Sequence, residues 1–225
     1  MKISSLLFQE LLFCLLLFAW GCRVAPGGGT LQLSKSDSSI IYQKANVARR
    51  MIIKMKPLIE AGDLILRTGK DFTSETLRQF SNFDKTYSHC GIASMEHDTL
   101  FVYHALGGEW NPDQKLRRDP IELFCNPQEN RGFGIFTYNL RNSEKYNLDS
   151  IVRCWYQKGY TFDMSFDLKT DDRLYCAEFA YKAIENATAS RISFSFSKIN
   201  KFEFVAVDNL FHNPFCSEKA RVRFP

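Results

Sequence analysis

The sequence lacks the features that identify three large classes of protein. The net charge is only +4, and the basic clusters at 48–50 and 116–118 are isolated, so the chain carries no basic stripe for nucleic acid. No C-x-x-C or H-x-x-x-H spacing occurs, and we expect neither a zinc site nor any other metal or cofactor. The apolar run near the N-terminus is too short to cross a bilayer. We therefore expect a globular protein whose function depends on its own side chains and not on a bound metal or cofactor.

The composition supports one well-filled domain. A chain of 225 residues can bury a full core but cannot form two large domains. Seven cysteines are too few for a scaffold held by disulfides. Phenylalanine is abundant, at 20 residues, which predicts either a strongly aromatic core or an apolar pocket.

The N-terminus resembles an export signal. Lys2 is followed by an apolar run from Leu11 to Trp20, and the sequence AWGC places Cys22 where bacterial lipoproteins carry their lipid. We therefore expect a lipoprotein signal peptide over residues 1–21 and a flexible, Gly-rich tether over 22–36. Glu10 and the bulky Trp20 depart from the usual signal, so a plain secretory signal or a buried helix are the alternatives. Residues 37–225 would form the folded domain.

The remaining patterns predict an α+β domain with helices packed on a mostly antiparallel sheet. Apolar residues at helical spacing predict a helix from Ser38 to about Leu58, and GDLILRTG predicts a strand between glycines. A short helix capped by Thr73 or Ser74 is predicted at FTSETLRQF, a helical turn at RDPIELF, and longer helices at LDSIVRCWYQK, which Gly159 closes, and CAEFAYKAIENA. Strands are predicted at HCGIASM, TLFVYHAL and GFGIFTYNL, and a strand followed by a turn at FEFVAVDNLF.

The two strands HCGIASM and TLFVYHAL form a predicted hairpin that pairs two histidines. If the turn centres on residues 97–98, Gly91 lies opposite His104, and His89 is the diagonal neighbour of His104 on the same face. Because Gly91 has no side chain, the His104 ring has room to lean toward His89. The hairpin therefore predicts two imidazoles in contact on an otherwise apolar surface.

Cys176 stands where the last of the predicted helices begins. The positive end of a helix dipole and a nearby imidazole both lower the pKa of a thiol, as a nucleophilic cysteine requires. We therefore consider a triad in which Cys176 attacks, His89 takes its proton and His104 orients His89. The alternative is a buried cysteine with a packing role only. Cys90, Cys125, Cys154 and Cys216 could also form disulfides in an oxidising compartment.

Several motifs occur in an order that resembles a known family. GDLIL, YSHCGI, VYHALG and YTFDMSFDLKTDDRLYCAEF resemble, in that order, the YiiX/YebB-like group of NlpC-type cysteine hydrolases. These are circularly permuted papain-like amidases, in which the histidine precedes the cysteine. The resemblance covers roughly residues 62–187 and implies a circularly permuted papain-like fold.

The resemblance also assigns roles to residues. It implies Cys176 as nucleophile, His89 as base and His104 at the third position, where relatives often carry Glu. Tyr87 and Tyr175 flank the two motifs and are candidate oxyanion donors. Asp163 matches the FDMSF motif as a candidate substrate residue, although bracing the loop over the site is the expectation we favour.

These observations predict a cell-envelope cysteine hydrolase that cleaves an amide or ester bond through an acyl-enzyme. The protein would be exported and membrane-anchored through Cys22, facing the periplasm or the cell surface. A peptide or a lipid amide would be its substrate, and peptidoglycan stem peptides fit that setting. The alternatives are an acyltransferase or lipid hydrolase of the same fold, and a non-catalytic envelope lipoprotein.

Overall fold

The computed structural model describes residues 35–108 and 111–225, and the chain from Ser39 to Pro225 forms one compact unit. The predicted signal peptide, Cys22 and the tether up to residue 34 lie outside the described residues. The first helix begins at Lys35, inside the last two residues of the predicted tether. The helices are α1 Lys35–Met55, α2 Phe72–Leu77, α3 Ile121–Phe124, α4 Asn142–Lys158, α5 Cys176–Ala187 and α6 Val207–Phe211. The strands are β1 Leu64–Gly69, β2 His89–Glu96, β3 Thr99–His104, β4 Arg117–Pro120, β5 Asn130–Tyr138, β6 Ser197–Ile199, β7 Phe202–Phe204 and β8 Cys216–Arg223.

An antiparallel six-stranded sheet organises the fold, which confirms the α+β prediction. Its strand order is β4-β3-β2-β1-β5-β8, and every neighbouring pair is antiparallel. Strands β6 and β7 form a separate two-stranded hairpin. No helix among the described ranges combines the length and apolarity that crossing a bilayer requires.

Helices cover both faces of the sheet, and strand alternation decides which residues face which helices. Leu64 and Leu66 of β1 pack into one cluster with residues of α4, α5 and α6. Ile65 points the other way, into a second cluster with residues of α1 and α3. We call these the α5 face and the α3 face of the sheet.

The predicted β2–β3 hairpin is confirmed, together with its register. Glu96 pairs with Thr99 and Ile92 with Tyr103, and the two turn residues His97 and Asp98 both have positive φ. Positive φ at both central residues is the conformation of a type I′ turn, which suits the twist of a tight hairpin. A Cβ added to Gly91 would lie 3.0 Å from His104 Cβ, so Gly91 faces His104 as predicted.

Several local predictions differ from the structure. The cap of α2 is Asp71, which accepts the Ser74 N–H, rather than Thr73 or Ser74. Strands β4 and β8 were not predicted, because both are rich in charged residues.

The end of α4 at Gly159, which adopts a left-handed conformation, agrees with the prediction.

Candidate functional site

A chain of hydrogen bonds links the two predicted histidines to a carboxylate. His89 Nε2 lies 2.8 Å from His104 Nδ1, and His104 Nε2 lies 3.0 Å from Asp119 Oδ2. Arg117 Nη2 lies 2.9 Å from the same oxygen of Asp119. Strand β4 brings Asp119 here, since Arg117 pairs with His104 and Asp119 is the next residue along β4 on the same face. The predicted contact of the two imidazoles is therefore present, and Asp119 extends it.

The carboxylate fixes the protonation pattern of both neutral rings. An ionised carboxylate can only accept, so His104 Nε2 must carry the proton that it donates to Asp119. His104 Nδ1 is then an acceptor, and His89 Nε2 must donate to it. This leaves His89 Nδ1 without a proton, so it is the ring nitrogen that can act as a base.

Burial keeps both imidazoles neutral near pH 7. It lowers the pKa of His89 well below its ordinary value, and the positive charge of Arg67 lowers it further. Burial also lowers the pKa of His104 to about 4, against the opposing effect of the hydrogen bond to Asp119. Burial alone would raise the pKa of Asp119, but the His104 hydrogen bond and Arg117 together hold it below its ordinary value. The hydrogen-bonded chain near pH 7 therefore consists of two neutral imidazoles and one ionised carboxylate.

Cys176 is the first residue of α5, as predicted. Tyr175 is the N-cap, and its N–H donates to Glu178 Oε2 at 3.2 Å, which satisfies the entry to the helix. The Glu178 carboxylate pairs with Lys182 at 3.0 Å. The N-terminus of a helix carries partial positive charge, which favours a thiolate at Cys176.

A second thiol borders Cys176. A hydrogen bond from the Cys90 thiol lowers the pKa of Cys176. Burial raises this pKa and a hydrogen bond from the Ala177 N–H lowers it, so that the net change is a lowering. Burial raises the pKa of Cys90 well above its ordinary value, so Cys90 keeps its proton and remains the donor. The five cysteines within the described ranges, at positions 90, 125, 154, 176 and 216, are all free thiols.

Cys176 and His89 line the same cavity of about 280 Å³. Apart from these two residues, Ser88 and Tyr175, its walls are apolar or glycine. They are formed by Leu77, Phe80, Ala105, Leu106, Gly107, Phe162, Phe166, Ala177, Ile199, Phe202, Phe204, Val205 and Val207. The abundant phenylalanine therefore contributes to a pocket as well as to the core.

The other predicted site residues lie in different surroundings. Tyr175 lines the cavity, and its hydroxyl accepts the Val205 N–H at 2.7 Å. Asp163 accepts the backbone N–H groups of Ser165 and Asp167 at 2.8 and 2.6 Å, so it braces its own loop. Asp163 is absent from the cavity wall.

The structure places Tyr87 away from the cavity. Its ring packs edge-on against Phe136 and Phe211, with centroids 6.1 and 5.6 Å away, and it is absent from the cavity wall. Its hydroxyl lies over Gly134 on β5, where an added Cβ would clash with it. Tyr87 is therefore unsuited to the predicted role of oxyanion donor.

Sequence reasoning missed Asp119 and the contact between Cys90 and Cys176. A signal for the second was present: alternation places Cys90 on the opposite face of β2 from His89, and α5 packs on that face. Asp119 had no comparable signal, because its strand was interpreted as part of a helical turn.

Comparisons with known proteins agree with this fold. No protein-family model matches the chain. Over 135 residues the chain is 22% identical to the uncharacterized protein YiiX of Escherichia coli (strain K12), an alignment that covers 59% of this chain and 61% of YiiX. The chain thus matches less than two thirds of the length of that curated relative.

The crystal structure of the metalloprotein YiiX from Escherichia coli O157:H7 is also similar. It superposes with a TM-score of 0.60 at 19% identity, covering 74% of this chain and 98% of that one. The residues that the structure describes do not fit a metal ion. No group of three or more His, Cys, Asp or Glu within the described ranges is arranged to hold one, and both nitrogens of His104 are engaged in hydrogen bonds. The chain is thus similar to YiiX in sequence and shares its α+β fold.

Proposed function

We propose that the chain is a cysteine hydrolase with a circularly permuted papain-like fold, in which Cys176 forms an acyl-enzyme. The observation that carries this proposal is that Cys176 and His89 line one cavity, with His89 tied through His104 to Asp119. Each group has the chemistry that its role needs: a thiol of lowered pKa at a helix N-terminus, and an imidazole with Nδ1 unprotonated.

The reaction would proceed in two stages. His89 Nδ1 takes the Cys176 proton while the sulfur bonds to the carbonyl carbon of an amide or ester. The tetrahedral intermediate collapses, the C–N or C–O bond breaks, and His89 returns the proton to the leaving group. Water then attacks the thioester with His89 as base, releasing the acid and the free thiol.

Charge on the His89 ring is transient, and the hydrogen-bonded chain stabilises it. When His89 becomes an imidazolium, its Nε2–H still donates to His104, which is polarised by the Asp119 carboxylate. The neutral His104 ring stabilises the His89 imidazolium less than a carboxylate in its place would. The negative charge of Asp119, which is hydrogen-bonded to the far side of His104, compensates for this difference. The backbone N–H of Cys176 and the Tyr175 hydroxyl, which keeps its own proton, are candidate oxyanion donors.

The cavity favours an acyl substrate with an apolar chain. Few of its lining groups can form hydrogen bonds, so a polar peptide would lose hydration there without compensation. A lipid amide or lipid ester gains from burial in the same walls. We therefore place lipid-linked substrates ahead of peptidoglycan stem peptides, and keep acyl transfer to an amine as a second function that the same pocket would serve.

The setting at the membrane is part of the proposal. If Cys22 is lipidated after removal of residues 1–21, the enzyme would be held at the cell envelope, facing the periplasm or cell surface. Lipid-linked substrates would then be concentrated at the same surface.

The experiment is a search for the acyl-enzyme. Protein is incubated with an N-acyl amide or an acyl ester of long chain, and intact-mass and peptide spectrometry locate the acyl adduct. We expect the adduct on Cys176 and loss of turnover in Cys176→Ala, with Cys154→Ser as a matched control at an exposed thiol. An adduct on another residue, or turnover in Cys176→Ala, would refute the proposal.

Two further measurements separate the alternatives. Added amine that captures the acyl group faster than water does identifies a transferase rather than a hydrolase. A non-catalytic lipoprotein would leave Cys176 unreactive, so failure of iodoacetamide to label it at pH 6.5 would favour that alternative.

A further inference from the structure

A second cleft, with a volume of about 450 Å³, lies beside the first along the chain segment 77–88. Leu77, Phe80 and Ser88 line the apolar cavity, whereas Arg78, Thr86 and Tyr87 line this cleft. Four arginines and no acidic residue line it. The lining residues are Thr68, Arg78, Thr86, Tyr87, Arg131, Gly132, Arg221, Val222 and Arg223. We call it the arginine cleft.

Carboxylates outside the lining hold three of the guanidiniums in place. Glu75 pairs with Arg78 at 2.8 Å and with Arg131 at 3.1 Å. Arg221 is held at 2.6 Å by each of two carboxylates, those of Asp84 and Glu218. Within the described ranges, Arg223 has no ion-pair partner. Four positive charges against these three negative ones leave one in excess, and ion pairs orient three of the four arginines.

Two buried donors at this cleft lack a hydrogen-bond partner. The Tyr87 hydroxyl and Arg78 Nε are both buried without one, and the Tyr87 side chain is 2% exposed. An unpartnered buried polar atom costs stability, so such atoms are rare in folded proteins unless a bound group satisfies them. Burial raises the pKa of Tyr87, which therefore remains a donor at neutral pH.

We propose that the arginine cleft binds a phosphate group. The planar guanidinium fork matches phosphate oxygens, and several such groups around one space favour an anion with several acceptor oxygens. Tyr87 also lines the cleft, and its unpartnered hydroxyl is a further donor next to it. The site is separate from the chemistry of Cys176 and does not depend on it.

The test is titration calorimetry with inorganic phosphate, using Cys176→Ser protein so that no turnover interferes. We expect saturable binding at one site per chain. Arg223→Gln should weaken it about 10- to 100-fold, as expected for loss of one charge-assisted hydrogen bond. Arg223 suits this test because its removal breaks no ion pair and leaves the fold intact.

Matched variants make the result specific. Arg50→Gln removes the same charge from an exposed position on α1 and should leave phosphate affinity unchanged. Tyr87→Phe should also weaken binding by about 10- to 100-fold, the effect of one hydrogen bond to a charged acceptor, while thermal stability without phosphate is unaltered or raised. Absence of saturable binding, or equal weakening by Arg50→Gln and Arg223→Gln, overturns the proposal.

The source of the phosphate is resolved by competition. Vesicles of phosphatidylcholine containing phosphatidic acid are added to the phosphate-bound protein, with pure phosphatidylcholine vesicles as the blank. Displacement by phosphatidic acid supports the site and identifies a lipid headgroup as its ligand. Binding of inorganic phosphate without displacement supports the site for a soluble phosphate.

Discussion

The two faces of the sheet contribute unlike halves of the candidate site. On the α5 face, Cys176 and Cys90 are thiols in apolar surroundings, and the helix N-terminus polarises the first of them. On the α3 face, His89, His104 and Asp119 form a buried polar chain. A helix end can position one reactive atom, whereas paired strands can hold several polar groups in fixed register.

Packing explains how the polar chain tolerates its burial. The Phe124 ring on α3 lies with its centroid 5.7 Å from His89 and 5.0 Å from His104. These contacts exclude water, so each ring must find its hydrogen bonds within the protein. The α5 face makes no such demand, because a thiol is buried as readily as a small apolar group. The imidazole half of the site is therefore the more sensitive to substitution.

Removal of His89, the proposed base, should have the largest effect. His89→Gln should lower the rate of acyl-enzyme formation by about 10²- to 10⁴-fold, the usual contribution of a general base. Single-turnover kinetics with an acyl ester measures this rate. His97→Gln, in the hairpin turn, is the matched control, and equal losses in the two variants would remove His89 from the mechanism.

Acid should lower the stability of the fold through the two buried histidines. The pKa of His104 falls from 6.5 to about 4 on folding because of burial, so the unfolded chain binds the extra proton below pH 6.5. The free energy of unfolding should therefore fall as pH drops from 6.5 to 4, by roughly 3 kcal/mol at 1.36 kcal/mol per pKa unit. His89 shifts in the same direction and adds to the loss.

Urea unfolding at a series of pH values measures this dependence. The contribution of Asp119 falls outside the window, because its lowered pKa takes effect only below its ordinary value of 3.8. His104→Gln should flatten the slope between pH 6.5 and 4. An unchanged slope in that variant would show that His104 is not buried as a neutral ring.

Asp119 should act through the histidines rather than on the thiol. Asp119→Asn removes the negative charge and leaves an amide that can either accept from or donate to His104, so the side chain no longer fixes the His104 tautomer. It should slow acyl-enzyme formation about 10- to 100-fold, as for one charge-assisted hydrogen bond. The rate of Cys176 alkylation against pH should shift in the same variant. Asp119→Glu should recover part of the rate, and full activity in Asp119→Asn would separate the carboxylate from the mechanism.

Close packing at Gly91 should give the smallest of these effects. A Cβ there would lie 2.5 Å from Val102 Cγ1 and 2.7 Å from the Tyr103 carbonyl oxygen. Gly91→Ala should therefore lower the free energy of unfolding by about 1–3 kcal/mol, the usual cost of overpacking. Gly108→Ala is the control, since no atom lies within 4 Å of its added Cβ. Thermal unfolding of the two variants checks the difference.

Local sequence pattern predicted the parts of the fold that local physics determines. Alternating apolar residues and the two-residue turn predicted the β2–β3 hairpin and hence the contact of His89 with His104. Helical spacing predicted α5 and the position of Cys176 at its start. Both are determined over stretches of fewer than twenty residues.

The sheet edges could not be predicted in this way. Strands β4 and β8 are the two edges of the sheet, and edge strands commonly carry charge that prevents further pairing. That charge hides the alternation that identifies a strand, and Asp119 was missed with β4. The arginine cleft was hidden for a different reason, because Arg78, Arg131 and Arg223 are distant in sequence and only the tertiary fold brings them together.

The tight turn at His97 and Asp98 also limits how this chain can vary. Side chains of a strand alternate with a period of two, so one residue inserted in that turn would exchange the two faces of β3 relative to β2. Tyr103 would then replace His104 opposite the α3 helix, and His104 would enter the apolar core beneath α5. Relatives that retain the proposed chemistry should therefore differ in turn length only by pairs of residues, or place a bulge on the strand to compensate.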